Sequence, residues 1–323
     1  MANSSVTAAA NTTCLLDEEF LTIMMPPALT ILLILAVSFN SLALWIFCFH
    51  VKKKIAIDIL MINLCVGDLL FSLTYPIAIT YYSNNHWIFG NFMCKLQAFI
   101  VYTTVLASVF FLTCISNYRC YMIVKPFQSQ IRITKKCTIV LSVLIWLLAG
   151  GLMSTSFFMV NVFELNGKLH CMSFNEENIS NTLLPSTMTL FVLGFVIPCG
   201  SLLVSTILIQ RKLASSALTS QSQQKGKHAV KMMVVVFSIF IICFLPSPVT
   251  RFWIATAERN NCPHFQKLCE AFYSSVLCLY LNGILNPIVY YFAGTKYRSR
   301  LTKAIKSWKC CKGAVAVNSN ESQ

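Results

Sequence analysis

Of the chain's 323 residues, 56% are hydrophobic and 11% charged, and the formal net charge is +14. That apolar share lies far above the soluble average and excludes an ordinary water-soluble domain. The positive balance invites a nucleic-acid reading, but the cations are divided among short loops between apolar runs, so anionic lipid is the better counterpart.

Taken in chain order, residues 1–20 have neither a basic start nor a long apolar core, so no cleaved signal peptide is expected and the first apolar run must act as its own insertion signal. Crossing a bilayer takes about 20 apolar residues. Runs of that kind lie at 24–49, 57–82, 95–122, 137–160, 183–210, 229–256 and 270–293. The polar link 211–228 is expected to be mobile, no stretch suffices for a second soluble domain, and there is no internal repeat. The expected fold is therefore an all-α membrane protein: a seven-transmembrane helix bundle with a short amphipathic eighth helix, Tyr297 to Trp308. The expected layout is an extracellular glycosylated N-terminus at 1–23, the bundle at 24–293, the amphipathic helix and a palmitoylation site at 294–311, and a cytoplasmic tail at 312–323.

Charge sets the orientation, because short loops rich in Lys and Arg stay cytoplasmic. The loops after runs one, three, five and seven hold 20 of the 25 basic residues. The N-terminus is then expected outside and the C-terminus inside, at the plasma membrane. Asn3, Asn11 and Asn178 fit the glycosylation pattern and all fall on the outer side. Asn320 fits it too but lies inside and should be unused. Cys14, Cys94, Cys171, Cys262 and Cys269 also fall outside, where disulfides persist. A Cys94–Cys171 bridge would pin the second outer loop over the bundle. Cys14 and Cys262 would tie the N-terminus to the third outer loop, leaving Cys269 unpaired or competing with Cys262. The cysteines in or beside the runs suit small apolar packing. Cys310 and Cys311 follow the basic amphipathic stretch and are candidates for palmitoylation, against the plainer reading of a solvated tail.

Polar residues inside the runs carry the functional signal, since burying them in lipid is expensive. The last run contains Asn286-Pro287-Ile288-Val289-Tyr290. Pro287 removes a backbone donor and kinks the helix, and a neighbouring helix or a water must satisfy the freed carbonyl. Asp68 is the one acid deep in a run, and Ser108, Asn282 and Asn286 lie at depths that let them join it. A carboxylate among neutral oxygens suits a sodium ion or a water cluster, against a packing network with no ion. No other metal and no cofactor is expected. Arg119 ends the third run at the cytoplasmic face, either snorkelling to headgroups or meeting a cytoplasmic partner. No nucleophile–base pair or metal-ligand cluster suggests an enzyme. A transporter would need more intramembrane charges or broken helices.

In this order, Asn40, Asn63-Leu64 with Asp68, Cys94, Arg119, Trp146, Pro198, Cys243 with Pro246, and Asn286 to Tyr290 resemble the rhodopsin-like (class A) G-protein-coupled receptors over about 24–311. No lysine lies in 270–293, so a retinal Schiff base as in opsins is ruled out there. His86-Trp87-Ile88-Phe89-Gly90, Phe111 to Ser116 and Gly194 to Pro198 are similar to the purinergic-receptor-like branch of nucleotide, lysophospholipid and small-carboxylate receptors. That branch's second bridge corresponds to Cys14 and Cys262. The resemblance implies coupling to a heterotrimeric G protein, with a coupling and switch set of Tyr118, Arg119, Cys120, Phe240, Phe244, Pro246, Asn286, Pro287 and Tyr290. Several positions depart from the family. Tyr118 replaces the acid before the arginine and Cys120 the tyrosine after it. Phe244 replaces the switch tryptophan, Thr206 replaces a tyrosine of the fifth run, and Pro248 adds a second bend near Pro246.

Helix phase places Val101, Tyr102 and Leu106 toward the interior with Tyr81, Tyr82, Phe157, Tyr273 and Tyr280, an apolar aromatic cavity. Arg251 is its main cation; the alternative is a snorkelled side chain paired with Glu258. Nucleotide-type members of the branch carry further cations, notably in the outer half of the seventh run, and 273–280 has none. One cation suits one phosphate or carboxylate, so a lysophospholipid or similar amphiphilic anion is the favoured ligand. The alternatives are a nucleotide or small carboxylate, a constitutively active or decoy receptor, and a proton sensor using His86, His170 and His264, which are otherwise expected to be solvated.

Overall fold

The structure, a computed structural model, describes residues 18–51, 53–126, 133–165, 167–171, 188, 191–214, 220–256, 262–293, 299 and 302. Among these, seven helical spans are long and apolar enough to cross a membrane: Phe20–His50, Ala56–Asn84, Gly90–Val124, Lys135–Met159, Val192–Ala214, Gly226–Ile254 and Pro263–Tyr290. In lipid each helix must satisfy its own backbone, so apolar runs of this length become helices and then associate through small and polar residues. The second and third spans are the most deeply buried, and the fourth and fifth the least. Phe158 and Leu147 of the fourth span are 74% and 67% exposed, as side chains facing lipid should be.

Proline and its relief shape the spans. The second consists of two helices, Ala56–Ser72 and Tyr75–Asn84. Pro76 has no N–H for the Ser72 carbonyl, and at this break Thr74 Oγ1 donates to Phe71 O at 2.7 Å. Single wide turns of π-helix, Val192–Val196 and Phe240–Phe244, precede Pro198 and Pro246 in the fifth and sixth spans. In the seventh span Pro287 frees the carbonyl four residues back, at Gly283. Asn40 Nδ2 of the first span donates to that oxygen at 2.7 Å, so a neighbouring helix rather than a water provides the relief. Gly283 packs between the first and second spans, where a Cβ would meet Ala36 Cβ at 3.9 Å and Asp68 Cβ at 4.0 Å, ordinary contact distances.

Trp146 Nε1 of the fourth span donates to Asn63 Oδ1 of the second at 3.1 Å, with its ring beside Phe111 of the third. At one end of the bundle Cys94 is bonded to Cys171, with Cα atoms 5.8 Å apart. Before Cys171 the chain forms an antiparallel hairpin, β1 Phe163–Leu165 and β2 Lys168–His170, in the register Phe163 opposite His170. The stretch His86 to Gly90 clasps this hairpin. Trp87 N donates to Leu169 O at 2.7 Å, and Leu169 N donates to His86 Nδ1 at 3.0 Å. Trp87 Nε1 closes on Gly90 O at 2.8 Å, where Gly90 takes a φ of 75° that a side chain would strain.

Several expectations need correction. The link 211–228 is helical at both ends: the fifth span runs to Ala214 and a helix resumes at Ser220. Cys269 is free, as in the unpaired alternative, and is buried in the core with Phe265 and Phe272. Cys48 and Cys137 are exposed rather than packed. Asn3, Asn11, Asn178, Cys310 and Cys311, nearly all of the eighth helix, and the side chains of a Cys14–Cys262 bridge lie outside the described residues.

Two outcomes follow from this architecture. Asn40→Leu leaves the Gly283 carbonyl buried and unpaired, a loss of about 1–3 kcal/mol, and should lower the melting temperature of the detergent-purified protein; an unchanged midpoint would show that the bond is not needed. Replacing Cys94 or Cys171 by Ala should lower surface expression, and the double replacement should be no worse than either single one, because both remove one bond.

Candidate functional site

A cavity of about 1170 Å³, open mouth included, lies at the Cys94 end of the bundle. Val101, Tyr102 and Leu106 of the third span line it together with Tyr81, Tyr82, Tyr273 and Tyr280. Helix phase thus brought seven of the eight expected wall residues together. Phe157 is the exception: its ring meets Phe92, Phe99 and Phe158 instead. The fourth span stands behind the third, so its aromatic face reaches the third span's outer side and not the cavity. Sequence reasoning missed Trp87, Gln97, Phe195, Ser247 and Phe272, which also line the cavity.

Arg251 enters this cavity. Its Nη2 donates to the Tyr102 hydroxyl at 2.8 Å, and its guanidinium carbon lies 5.1 Å from the Phe272 ring centroid. Stacking on an aromatic face is a favourable setting for a guanidinium. Its Nε is buried with no hydrogen-bond partner. Among the described residues no carboxylate is bonded to it, and the alternative partner Glu258 lies outside them. The side chain is therefore held in place with N–H groups to spare.

Phe244 lines the cavity, and its ring meets that of Phe240 edge-on at 5.3 Å within the wide turn before Pro246. Pro246 and Pro248 open the short helix Pro246–Thr256, where a missing N–H is tolerated.

Farther from the mouth, Asp68 accepts from Asn286 Nδ2 at 2.9 Å through both carboxylate oxygens. The Tyr290 hydroxyl donates toward Asp68 Oδ2 at 3.3 Å and reaches Asn40 Oδ1 at 3.4 Å. Ser108 Oγ lies 3.6 Å from where a Cβ on Gly67 would stand, beside Asp68. Asn282 Oδ1 and Asn286 Oδ1 are buried with no hydrogen-bond partner. A carboxylate with unpartnered amide oxygens is the donor set a hard cation takes, so these residues fit a sodium ion, which would balance the buried charge.

At the opposite end, Arg119 is half-buried and its Nε has no hydrogen-bond partner. Tyr118 beside it is half-buried and Cys120 is buried. Asn117 bonds Ser201 Oγ at 2.9 Å and accepts from Ser205 at 2.8 Å, joining the third and fifth spans next to Arg119. Thr206 gives its hydroxyl to its own helix, to Leu202 O at 2.8 Å, so it makes no tyrosine-like reach across the bundle. Two of the three outer histidines are not simply solvated: His86 accepts from the hairpin, and His170 is buried with Nδ1 3.2 Å from the Tyr81 hydroxyl, whereas His264 is exposed.

This bundle, with a lined cavity at one end and a cation at the other, is the architecture of a membrane receptor. The family described as 7 transmembrane receptor (rhodopsin family) matches residues 39–290, and the chain belongs to it. The chain is 33% identical to human lysophosphatidic acid receptor 4 over 88% of its own length and 78% of the relative's. It is 31% identical to human hydroxycarboxylic acid receptor 3, over 88% of this chain and 73% of that one. It is 30% identical to a purinoceptor of Cavia porcellus, over 94% and 83%. These relatives are receptors and not enzymes. Membership makes the chain a multi-pass plasma-membrane protein that couples to G proteins and takes an extracellular small-molecule ligand.

The absence of an acid at Tyr118 carries an expected outcome. Tyr118→Asp would place a charge-assisted partner beside Arg119, stronger than a neutral hydrogen bond. A shift of ~1.4 kcal/mol changes the active-to-inactive ratio tenfold, so the variant should lower ligand-free nucleotide exchange at matched expression. Equal basal exchange in both forms would show that Tyr118 does not set the resting state.

Proposed function

We propose that the chain is a receptor for an amphiphilic anion, a lysophospholipid or similar lipid, bound with its charged group at Arg251 and its tail against the aromatic walls. The supporting observation is that Arg251 sits in the cavity held by Tyr102 and Phe272, with an unpartnered Nε and no bonded carboxylate among the described residues. A preorganised planar fork suits a single phosphate or carboxylate. The walls supply the rest: tail burial contributes about 0.8 kcal/mol per methylene, so a dozen carbons can outweigh the head group. Two of the relatives are named for lysophosphatidic acid and for hydroxycarboxylic acids, both anions with one acidic group. The region 273–280 holds no cation to meet a triphosphate.

In this reading the Cys94 end faces outward, in keeping with the loop charges, and the Arg119 end meets the G protein. Activation swings the sixth span outward from the wide turn at Phe240–Phe244 and opens a groove for a helix of the G-protein α subunit at Arg119. The bonds of Asp68, Asn286 and Tyr290 belong to the resting arrangement.

The test is a screen of lysophospholipids, fatty acids and nucleotides against wild type and Arg251→Ala. A lipid should activate the wild type, and Arg251→Ala should lose at least tenfold in potency, as expected for a charge-assisted contact of about 1.5–3 kcal/mol. Arg251→Lys should recover only part of that, lacking the fork. Activation by a nucleoside triphosphate at low concentration, with no lipid active, would defeat the lipid reading. Equal lipid potency in Arg251→Ala would move the head group to Lys168, His170 or Lys267.

A further inference from the structure

We infer that Gln97 is a second polar contact for the ligand, and that the ligand therefore carries a hydrogen-bond donor, a hydroxyl or an amide N–H, a few bonds from its anionic group. This rests on the reading of Arg251 as the anion site. Gln97 lies three residues beyond Cys94 on the third span, lines the cavity, and is 6% exposed. Its Oε1 is buried with no hydrogen-bond partner. Buried amide oxygens are nearly always paired, and an unpaired one is costly.

Two polar groups on the neighbouring wall are engaged elsewhere. Trp87 Nε1 is bonded to Gly90 O at 2.8 Å. The Tyr81 hydroxyl is engaged with His170 Nδ1 at 3.2 Å. The Tyr102 hydroxyl accepts from Arg251 and makes no bond to Gln97 Oε1. The rest of the third-span wall, Val101, Val105 and Leu106, offers no side-chain donor. An acceptor left open in an otherwise apolar wall is a place for a donor that enters with the ligand.

Spacing sets where that donor sits. Gln97 and Tyr102 are five residues apart on one helix, about 7.5 Å along its axis at the α-helical rise. Arg251 reaches Tyr102, so the anion and the second contact are separated by roughly the width of a small polar head group. The cavity then selects a head with two features, a charge and a nearby donor, rather than a bare fatty acid.

Discrimination of this kind is asymmetric. An analogue without the donor both loses a bond and leaves Gln97 buried unpaired, whereas a wall without Gln97 is indifferent to the donor. The experiment uses full-length receptor in membranes with a panel of G-protein α subunits, reading nucleotide exchange. The probes are 1-oleoyl lysophosphatidic acid and the same molecule with its glycerol hydroxyl replaced by hydrogen, together with oleic acid and a series of C18 acids bearing one hydroxyl at successive carbons near the carboxylate. The wild type should prefer a hydroxyl-bearing member over its matched analogue by about tenfold. In Gln97→Met that preference should fall below threefold, mainly because the hydroxylated ligand loses potency. Gln97→Leu gives the same reading should Met not reach the surface, and Gln97→Glu, which keeps the acceptor, should retain the preference.

A wild type with no preference, or a preference that survives in both Gln97→Met and Gln97→Leu, overturns the inference. If those variants keep the preference while Arg251→Ala loses the response to every anion, only the Gln97 assignment fails. If no member of either series shifts exchange in the wild type, the anion reading fails and the inference falls with it.

Discussion

One buried hydrogen bond offsets the break that Pro287 makes in the seventh span. Proline in a membrane helix leaves a carbonyl that lipid cannot satisfy. Pro287 creates that debt at Gly283, and Asn40 of the first span meets it at 2.7 Å. The same asparagine's oxygen lies 3.4 Å from the Tyr290 hydroxyl, which reaches on to Asp68 of the second span. Spans one, two and seven are thereby joined by buried polar groups. On the proposed reading, with that side of the bundle fixed, the sixth span, interrupted by a wide turn and two prolines, is the element that moves.

Much of this was legible in the sequence, and the reasons differ from element to element. The seven spans follow from hydropathy because lipid imposes a length. The need for relief at Pro287 followed from covalent chemistry, though only the structure names Asn40 rather than a water. The link 211–228 was misjudged because hydropathy marks where apolar residues stop and not where a helix stops: once nucleated, the helix from Ser220 continues through polar residues with little penalty. Phe157 was misplaced because phase on one helix does not say which helix it faces. The fourth span contacts the outer side of the third, and no periodicity encodes that.

Gln97 was overlooked for a related reason. Charged residues inside a span were singled out because burying a charge is expensive. Neutral amides were singled out only where they share the depth of Asp68, and Gln97 does not, yet its oxygen is as unpartnered as those of Asn282 and Asn286. The signal was available: a lone amide one turn from Cys94, on the stripe that continues to Val101. The same cost argument applied to Asp68, extended to neutral amides, would have found it. The motif His86 to Gly90 was recognised by resemblance alone, and its physical task, holding the hairpin against the second and third spans, needed coordinates.

On the proposed reading, the Arg251–Tyr102 bond explains how occupancy reaches the other end of the molecule. That bond ties the sixth span to the third across the cavity. An anion at Arg251 offers the guanidinium a stronger partner than a neutral hydroxyl. The tie is then exchanged for a contact with the ligand, and it is this difference between states, rather than tight binding as such, that can shift a population. Arg251 belongs to the helix that starts at Pro246, immediately after the wide turn, so a changed position at Arg251 acts on Phe244 and, through the edge contact, on Phe240. Phe240 is fully buried in the core that the sixth span shares with its neighbours, where a packed interior admits discrete rearrangements rather than continuous ones. A neutral lipid of the same length would fill the cavity and leave the Arg251–Tyr102 tie intact, so charge is what separates an agonist from an occupant.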